Sequence, residues 1–303
     1  MRLATTTEDF FQYCPNTQEC IKHIAEAGFR YVDLSQYVIR YTPELLVDEN
    51  WREHAKRLKN YADALGVTFI QSHSPGVNPL NIADPDHEFY MKTVIRSIEV
   101  CGELGIPNIV IHQGHTPGIT KEEFFEKNRA FFASLFPVME ANNVNVLCEN
   151  STPHENLYWT NSGADMREFV KYVNHPLFHA CWDTGHGNVC GAQYEELLTL
   201  GDELYALHIN DNLGTYDEHI PPYFGTVNMD EIMTALTDIG YNGYFTYEST
   251  RGLRSNNIRF SKRREFTVNQ MLANPTLEMQ KHIEKLMYDM GVYFLQTYNC
   301  FEE

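Results

Sequence analysis

The sequence contains histidine and carboxylate side chains whose types allow metal binding or acid–base chemistry. Two of them, Asp183 and His186, lie three residues apart in CWDTGHGNVCG, directly after a short apolar run. An aspartate and a histidine at this spacing can hold a metal ion, serve as an acid and a base, or cap the following helix. Further residues of these types follow other apolar runs or lie in a loop between two of them, namely His73, His112, Glu149, His208, Asp217, His219 and Glu248.

The chain that must position these side chains alternates strand-like runs with longer amphipathic segments. Apolar runs lie at 31–35, 67–73, 108–114, 144–150, 179–186, 204–211 and 244–249, and RLATTT near the N-terminus adds a weaker eighth. The segments between them carry apolar residues at helical spacing, as in TQECIKHIAEAGF. Eight such units predict one (β/α)8 TIM barrel, an α/β fold, that spans residues 1–303 as a single domain. A doubly wound open sheet is the alternative, and the absence of GxGxxG after the first strand disfavours it.

In a parallel barrel the carboxyl ends of all strands meet at one mouth, so residues far apart in sequence become neighbours. Several carboxylates at one mouth repel each other unless a cation lies between them. The predicted strands five to eight supply three carboxylates and one imidazole, a ligand set that suits Mn²⁺, Mg²⁺, Co²⁺ or Zn²⁺. We therefore expect one divalent metal at Glu149, Asp183, His208 and Glu248.

Two long loops are predicted at the same face of the barrel, at 211–228 after strand seven and at 250–275 after strand eight. The second loop is rich in arginine in a chain that is otherwise short of cations. Anionic groups are often held near strands seven and eight of such barrels, so Arg251 and Arg254 are candidates to bind a substrate phosphate or carboxylate. The alternative is a solvated surface segment.

The composition limits the class of protein. The 41 acidic residues outnumber 23 basic ones, which gives a net charge of −18, the wrong sign for binding a nucleic-acid backbone. No apolar run is long enough to span a bilayer, so we expect no membrane partner. The N-terminal MRLATTTEDFF does not resemble a signal peptide, and seven cysteines without a CxxC pair are typical of reduced thiols. A cytoplasmic location is therefore predicted.

An ordered set of short motifs gives the chain a family resemblance. The motifs are HSPG (73–76), IHQG (111–114), CENS (148–151), DTGH (183–186), HINDN (208–212), DEHIPP (217–222) and YES (247–249). Together they resemble the xylose isomerase-like (β/α)8 superfamily, which holds sugar isomerases and epimerases, inosose-processing enzymes and endonuclease IV-type abasic-site nucleases. The resemblance covers roughly residues 1 to 250 and the final helix.

The resemblance to ketose 3-epimerase-like members implies a metal-dependent isomerase or epimerase of sugars or sugar phosphates. Their metal quartet falls on Glu149, Asp183, His208 and Glu248, and the two glutamates are implied to be acid–base residues as well. A metal on the substrate oxygens lowers the pKa of the neighbouring C–H, so one carboxylate can remove a proton and the other can return one. If one glutamate serves two carbons, the outcome is aldose–ketose isomerisation instead. His186 matches a position that hydrogen-bonds substrate oxygens.

Other members of the superfamily imply other reactions. The endonuclease IV type is a phosphodiesterase with three zinc ions, and candidates for all of its ligand positions are present, because His73, His112, His186, Asp217 and His219 join the quartet. An inosose dehydratase-like lyase is a third alternative, and a catalytically silent sugar-binding barrel is a fourth.

Aromatic side chains are numerous, and their faces suit the C–H surfaces of a sugar. Those that follow or end predicted strands, or lie in loops, are the candidates for such a wall: Tyr13, Trp182, Tyr216, Tyr223 and Phe224. The alternative is that they fill the core. Apolar residues on outer helices also suggest a homo-oligomer, although the sequence does not identify its surface.

Overall fold

The computed structural model describes residues 1–153, 157–250 and 275–303, in which eight parallel strands form a barrel. The strands are β1 (Arg2–Thr6), β2 (Tyr31–Ser35), β3 (Thr68–His73), β4 (Asn108–Val110), β5 (Asn145–Glu149), β6 (Phe178–Asp183), β7 (Leu204–His208) and β8 (Tyr244–Thr246). Neighbours in sequence pair with each other, and β1 also pairs with β8. The ring closes where the amide of Ile209 donates to the carbonyl of Thr246 at 2.8 Å. The predicted (β/α)8 barrel is confirmed.

Helices surround this sheet. They are α1 (Thr17–Ala27), α2 (Pro43–Leu46), α3 (Trp51–Ala64), α4 (His87–Leu104), α5 (Lys121–Asn142), α6 (Gly163–Val173), α7 (Thr184–Cys190), α8 (Tyr194–Leu200), α9 (Met229–Asp238) and α10 (Leu277–Thr297). Local sequence explains several of their beginnings. Asn16 caps α1, and Thr120 forms a capping box with Glu123 at the start of α5. Within the described ranges, no helix has the length and apolar character of a membrane span.

The core divides into two parts. The larger part lies between the strands and the helices and contains side chains such as Phe132, Phe169 and Trp182. The smaller part fills the inside of the barrel with Val110, Leu147, Cys181 and Ala206. Because side chains alternate along a strand, the residue two positions after each of these inward residues also faces the barrel axis. Polar residues occupy those next positions, so the barrel interior becomes polar at its carboxyl end.

The two predicted loops differ in how far the structure describes them. The loop at 211–228 is anchored by Asp211, whose carboxylate accepts hydrogen bonds from the amides of Gly225 and Val227 at 2.9 and 2.8 Å. The loop at 250–275 lies outside the described residues except at its two ends. The assignment of residues 1–303 to one domain therefore stays a prediction. All seven cysteines are free, as the sequence predicted.

Candidate active site

Four side chains converge at the carboxyl end of the barrel. Glu149, Asp183 and His208 are the last residues of β5, β6 and β7, and Glu248 follows β8 by two residues. Each offers one donor atom, and these atoms all lie within 4.8 Å of one another. His208 is central, because its Nδ1 lies 2.5 Å from Oε1 of Glu149 and 3.3 Å from Oε2 of Glu248. The structure thus brings together the four side chains for which the sequence predicted a common metal.

Asp183 both caps a helix and faces this cluster. Its Oδ1 accepts a hydrogen bond from the amide of His186 at 2.6 Å, at the start of α7. Its Oδ2 accepts one from the carboxamide of Asn210 at 2.6 Å. The carboxamide of Asn150 bonds both backbone groups of Asp183, so the carboxylate is held from several sides. Capping and a site role are therefore compatible for this residue.

Three histidines at the mouth are oriented in the same manner. In His73, His186 and His219 the Nδ1 atom lies 2.8 to 2.9 Å from a backbone carbonyl, to which it donates. This bond orients each ring so that Nε2 is directed away from the carbonyl and toward a ligand or a neighbour. His112 differs, because its Nε2 lies 2.7 Å from Oε2 of Glu149 and 3.1 Å from Nε2 of His73.

Asp217 lies between two of these rings. Its Oδ2 is 2.9 Å from Nε2 of His219 and 3.4 Å from Nε2 of His186. Residues of the long loop after β7 therefore join the strand-end cluster. All nine of the histidines and carboxylates singled out in the sequence lie at this mouth. Besides the quartet, His73, His112 and Glu149 form a second group of close donor atoms, and Asp183, His186 and His219 form a third.

The carboxylates of the quartet have different electrostatic surroundings. Burial by itself raises the pKa of Glu149, but the charge of His208 and hydrogen bonds from His112 and His208 outweigh it and hold this pKa well below its usual value. Burial raises the pKa of Glu248 to about 8, and the charges of Glu149 and Asp183 add to that rise. Burial also raises the pKa of Asp183. Burial and mutual repulsion therefore disfavour the simultaneous ionisation of all three carboxylates in this small volume.

The loop-side group carries compensating charges. Burial lowers the pKa of His219, yet its contact with Asp217 raises that pKa to about 10. The pKa of His186 also lies well above its usual value, because the charges of Asp183 and Asp217 overcome the effect of burial. Asp217 is half-buried, which by itself raises its pKa, but His219 and His186 outweigh this and hold the pKa well below the usual range. This group is a carboxylate bridging two charged imidazoles.

The quartet fits a divalent cation by its donor chemistry. It offers carboxylate oxygens and one imidazole nitrogen, the ligands that Mn²⁺, Mg²⁺, Co²⁺ and Zn²⁺ accept in proteins. The side chains are buried or nearly so, since Glu149 is 3% exposed and Asp183 is 0% exposed. A cation at this position would offset the burial and the neighbouring carboxylate charges that raise the pKa of Glu248 and Asp183.

Two adjoining cavities open beside the cluster, with volumes of about 120 and 190 Å³. Tyr37, His112, Glu149 and His186 line both of them. Among their lining residues in the described ranges there is no lysine or arginine. The predicted anion-binding residues Arg251 and Arg254 lie outside the described residues, so their role stays a prediction.

The aromatic wall differs from the one suggested by the sequence. Trp182 is fully buried among the core side chains, where its indole N–H donates to Gln193 at 2.8 Å. Tyr223 packs against Phe294 on the outside of the barrel, away from the cluster. The aromatic residues that line the cavities are Tyr37 and Tyr158. Tyr37 follows the end of β2 and Tyr158 follows the end of β5, but neither lies in one of the short sequence motifs that indicated site residues.

The residues that support the cluster were not predicted from the sequence. Asp33 in β2 is buried beside His208, and Gln71 in β3 donates to Asp33 at 2.8 Å. Glu8, in the short 3-10 helix Thr7–Phe10, lines the first cavity. The signal for Asp33 was present, because an acidic residue inside the apolar run YVDLS requires a buried partner.

Comparisons with known proteins agree with this architecture. The family described as xylose isomerase-like TIM barrel matches residues 21–266. D-psicose 3-epimerase of Ruminiclostridium cellulolyticum is 25% identical over 243 residues, which is 75% of this chain and 76% of the relative. A crystal structure of D-psicose 3-epimerase with D-tagatose, from Clostridium cellulolyticum H10, superimposes with a TM-score of 0.75 at 21% identity and covers 97% of this chain and 99% of the other.

A second solved structure shares the fold to a similar extent. It is the IolI protein with a bound zinc atom, which has a TM-score of 0.74 and 19% identity. The superposition covers 98% of this chain and 99% of that protein. At these identities the structural likeness establishes the fold.

Proposed function

The chain belongs to the xylose isomerase-like TIM barrel family, and we propose that it is a divalent-metal-dependent isomerase or epimerase of a neutral sugar. The observation that carries this proposal is the quartet, in which the carboxylates of Glu149 and Glu248 lie on the same nitrogen of His208. The quartet provides a metal site and two proton-transfer groups in one place. The similarity to D-psicose 3-epimerase supports a sugar as the substrate.

Glu149, Asp183, His208 and Glu248 would hold the metal. When bound, the ion would polarise the substrate carbonyl and so acidify the neighbouring C–H. The IolI relative, whose structure contains zinc, supports a divalent ion of this kind.

Glu149 and Glu248 would carry the proton. In an epimerase, one carboxylate removes the proton from the carbon next to the carbonyl, and the other delivers a proton to the opposite face of that carbon. If a single glutamate served both carbons, the product would be the aldose–ketose isomer. His186 would orient the sugar, because its Nδ1 is fixed by the carbonyl of Asn150 and it lines both cavities.

The cavity walls favour a neutral sugar over a sugar phosphate. The acidic residues Glu8, Asp217 and Glu248 line the first cavity, and the charged imidazoles near them are engaged by Asp217. A phosphate at these walls would meet the like charge of these carboxylates, and the described lining residues include no lysine or arginine. A sugar phosphate stays the alternative substrate, because the predicted anion-binding residues Arg251 and Arg254 lie outside the described residues.

Solvent-hydrogen exchange tests this function directly. A panel of ketoses is incubated with the protein and Mn²⁺ in D₂O, and deuterium at the carbon next to the carbonyl is followed by NMR. Glu149→Gln and Glu248→Gln should each lower the exchange rate by about 10²-fold or more, because each removes a proton-transfer group. Glu126→Gln, on the exposed face of α5, is the control. Wild-type exchange in either active-site variant would contradict the two-glutamate mechanism.

A second candidate is an endonuclease IV-like phosphodiesterase with three zinc ions. The observation in its favour is that the described residues at the mouth form five overlapping groups of close donor atoms, which include His73, His112, His186, His208 and His219 together with the carboxylates. The net charge of −18 opposes it. Cleavage of duplex DNA at an abasic site, together with close to three zinc ions for each chain, would favour this reaction over sugar isomerisation or epimerisation.

A further inference from the structure

A third and larger cavity, which we call the outer cavity, lies beside the two that adjoin the metal-binding quartet. Its volume is about 450 Å³, and it is lined by residues that follow β2 and β3 and by the first turn of α4. Tyr37 lines all three cavities and so stands at their junction. The volume falls within the ordinary range for a small-molecule site, whereas the cavities at the quartet are smaller.

Tyr37 is held in place at this junction. Its ring meets the edges of the His73 and His112 rings, with centroids 5.0 and 5.8 Å apart. On another side it lies against Gly76, where a Cβ atom would come within 2.3 Å of the Tyr37 ring. One ring therefore contacts the site histidines and also borders the outer cavity, so a ligand in the outer cavity adjoins a ligand at the quartet.

The polar side chains that line the outer cavity are of two kinds: some are held by hydrogen bonds to the protein, and others are not. The carboxamide of Asn78 is engaged at both its nitrogen and its oxygen, because it donates to the carbonyl of His115 and accepts from the amides of His115 and Leu80. By contrast, the side chains of Asn81, His87 and Tyr90 form no hydrogen bond with any residue that the structure describes. These three polar side chains line the cavity and have hydrogen-bonding groups that no described residue uses, so a ligand in the cavity can bond to them.

The chemistry of these walls matches a carbohydrate. The rings of Tyr37 and Tyr90 offer surfaces for sugar C–H groups, and an amide, an imidazole and a phenol offer hydrogen bonds to hydroxyls. No lysine or arginine is found among the described residues of this cavity, so an anionic ligand would lack a counter-charge. A neutral, hydroxyl-rich group fits better than a phosphate or an apolar tail.

We propose that the outer cavity binds a second sugar unit, linked through a glycosidic bond to the ketose that reacts at the quartet. This rests on the proposed function, since it extends the substrate of the same site from a monosaccharide to a glycosylated ketose. The metal quartet acts on the ketose unit, and Asn81, His87 and Tyr90 recognise the attached sugar.

Binding measurements test this without relying on turnover. Isothermal titration calorimetry on the purified protein compares D-fructose with three disaccharides of fructose, namely maltulose, lactulose and isomaltulose. At least one disaccharide should bind about 10-fold more tightly than D-fructose, which corresponds to about 1.4 kcal/mol. The preference should fall in Asn81→Ala and Tyr90→Ala, while the affinity for D-fructose is unchanged. Tyr90→Phe keeps the aromatic ring, so it should lose only the part of the disaccharide preference that depends on the phenol hydroxyl.

Phe89→Ala is the matched control, because Phe89 neighbours Tyr90 in α4 but does not line the cavity. Equal affinity for D-fructose and all three disaccharides would overturn the proposal, as would an equal loss of both affinities in Asn81→Ala and in Tyr90→Ala. The deuterium exchange assay on the same sugars separates the two proposals. A disaccharide preference in binding without exchange on any sugar would retain the second-sugar site and reject the proposed reaction.

Discussion

Oδ2 of Asp33 lies 3.8 Å from Nε2 of His208, on the side of the imidazole opposite to the nitrogen that faces Glu149 and Glu248. Gln71 donates to the same oxygen of Asp33 and so fixes the carboxylate. The distance from Asp33 to His208 is longer than a hydrogen bond, and Nε2 of His208 has no hydrogen-bond partner among the described residues, so Asp33 acts on the ring through its charge, which increases the basicity of the imidazole. Asp33 is therefore placed to strengthen His208 as a metal ligand, although it does not belong to the quartet.

We expect Asp33→Asn to weaken metal binding by about 10- to 100-fold, because the charge behind His208 is lost while the shape is kept. Titration of the chelator-treated protein with Mn²⁺, followed by calorimetry, measures this. Asp63→Asn is the control, since Asp63 on α3 pairs only with the exposed Lys59 in the described part of the chain. Metal affinity within twofold of wild type would show that Asp33 does not act through His208.

Removal of the metal should lower the stability of the protein. A ligand at about 100 times its Kd stabilises the folded state by about 2.7 kcal/mol, so chelation should lower the midpoint of thermal unfolding measurably. Glu149→Gln should show a smaller shift on chelation, because a carboxamide is a weaker ligand than a carboxylate. An equal shift in the variant would mean that the stabilising ion binds elsewhere. Differential scanning calorimetry with and without EDTA makes the comparison.

A buried carboxyl pair that forms no ion pair with a described lysine or arginine predicts a pH dependence of stability. Burial raises the pKa of Asp9 to about 7, and burial and the charge of Asp9 raise the pKa of Glu284 well above its usual value. Glu284 is 0% exposed, and neither of its oxygens has a hydrogen-bond partner in the described residues. The folded state binds the protons of Asp9 and Glu284 more tightly than the unfolded state does. The stabilisation that these bound protons provide is therefore complete below about pH 4 and is lost as the pH rises through 7.

Glu284→Gln should therefore be more stable than wild type at pH 8 by about 1 kcal/mol or more, and the difference should shrink at pH 5. Urea unfolding at the two pH values gives the free energies. Glu278→Gln, on the exposed part of the same helix α10, should change neither value by more than about 0.5 kcal/mol. A variant that is less stable than wild type at pH 8 would contradict the argument.

The barrel and the convergence of the quartet were predictable because strand periodicity and parallel topology are encoded locally. Glu149, Asp183 and His208 end three of the apolar runs, and a closed sheet leaves one place for them to meet. Trp182 was suggested as a sugar contact, although the alternation of side chains along a strand places it on the face of β6 opposite to the site. Its neighbours Cys181 and Asp183 belong to alternate positions, and Cys181 faces the barrel interior, where it packs with Val110.

Other features were not predictable from single runs. The register of β2 against β3 shifts between Val32 and Asp33, and this irregularity pairs Asp33 with Gln71 instead of Ile70. His219 adopts a φ of 49° in the loop after β7, a backbone conformation that hydrophobic periodicity does not encode. The position of Tyr37 depends on its close approach to Gly76, which is 39 residues away in sequence. These contacts arise from tertiary packing, not from local pattern.

The contact between Tyr37 and Gly76 gives a last prediction. Gly76→Ala should displace the Tyr37 ring, because the added Cβ would meet two ring carbons at 2.3 Å. Tyr37 is 38% exposed, so the ring can move outward at a small cost in stability, about 1 kcal/mol. The displaced ring would narrow the junction of the cavities, and we expect KM for the sugar to rise while the unfolding free energy changes little.

A double-mutant cycle separates this mechanism from a general disturbance of the loop. If Gly76→Ala acts through the ring, it should have almost no further effect on KM in a Tyr37→Ala background, which gives a coupling of about 0.5 to 3 kcal/mol. Additive effects of the two substitutions would show that Gly76 affects the site by another route. KM from the deuterium exchange assay and urea unfolding of all four proteins provide both readouts.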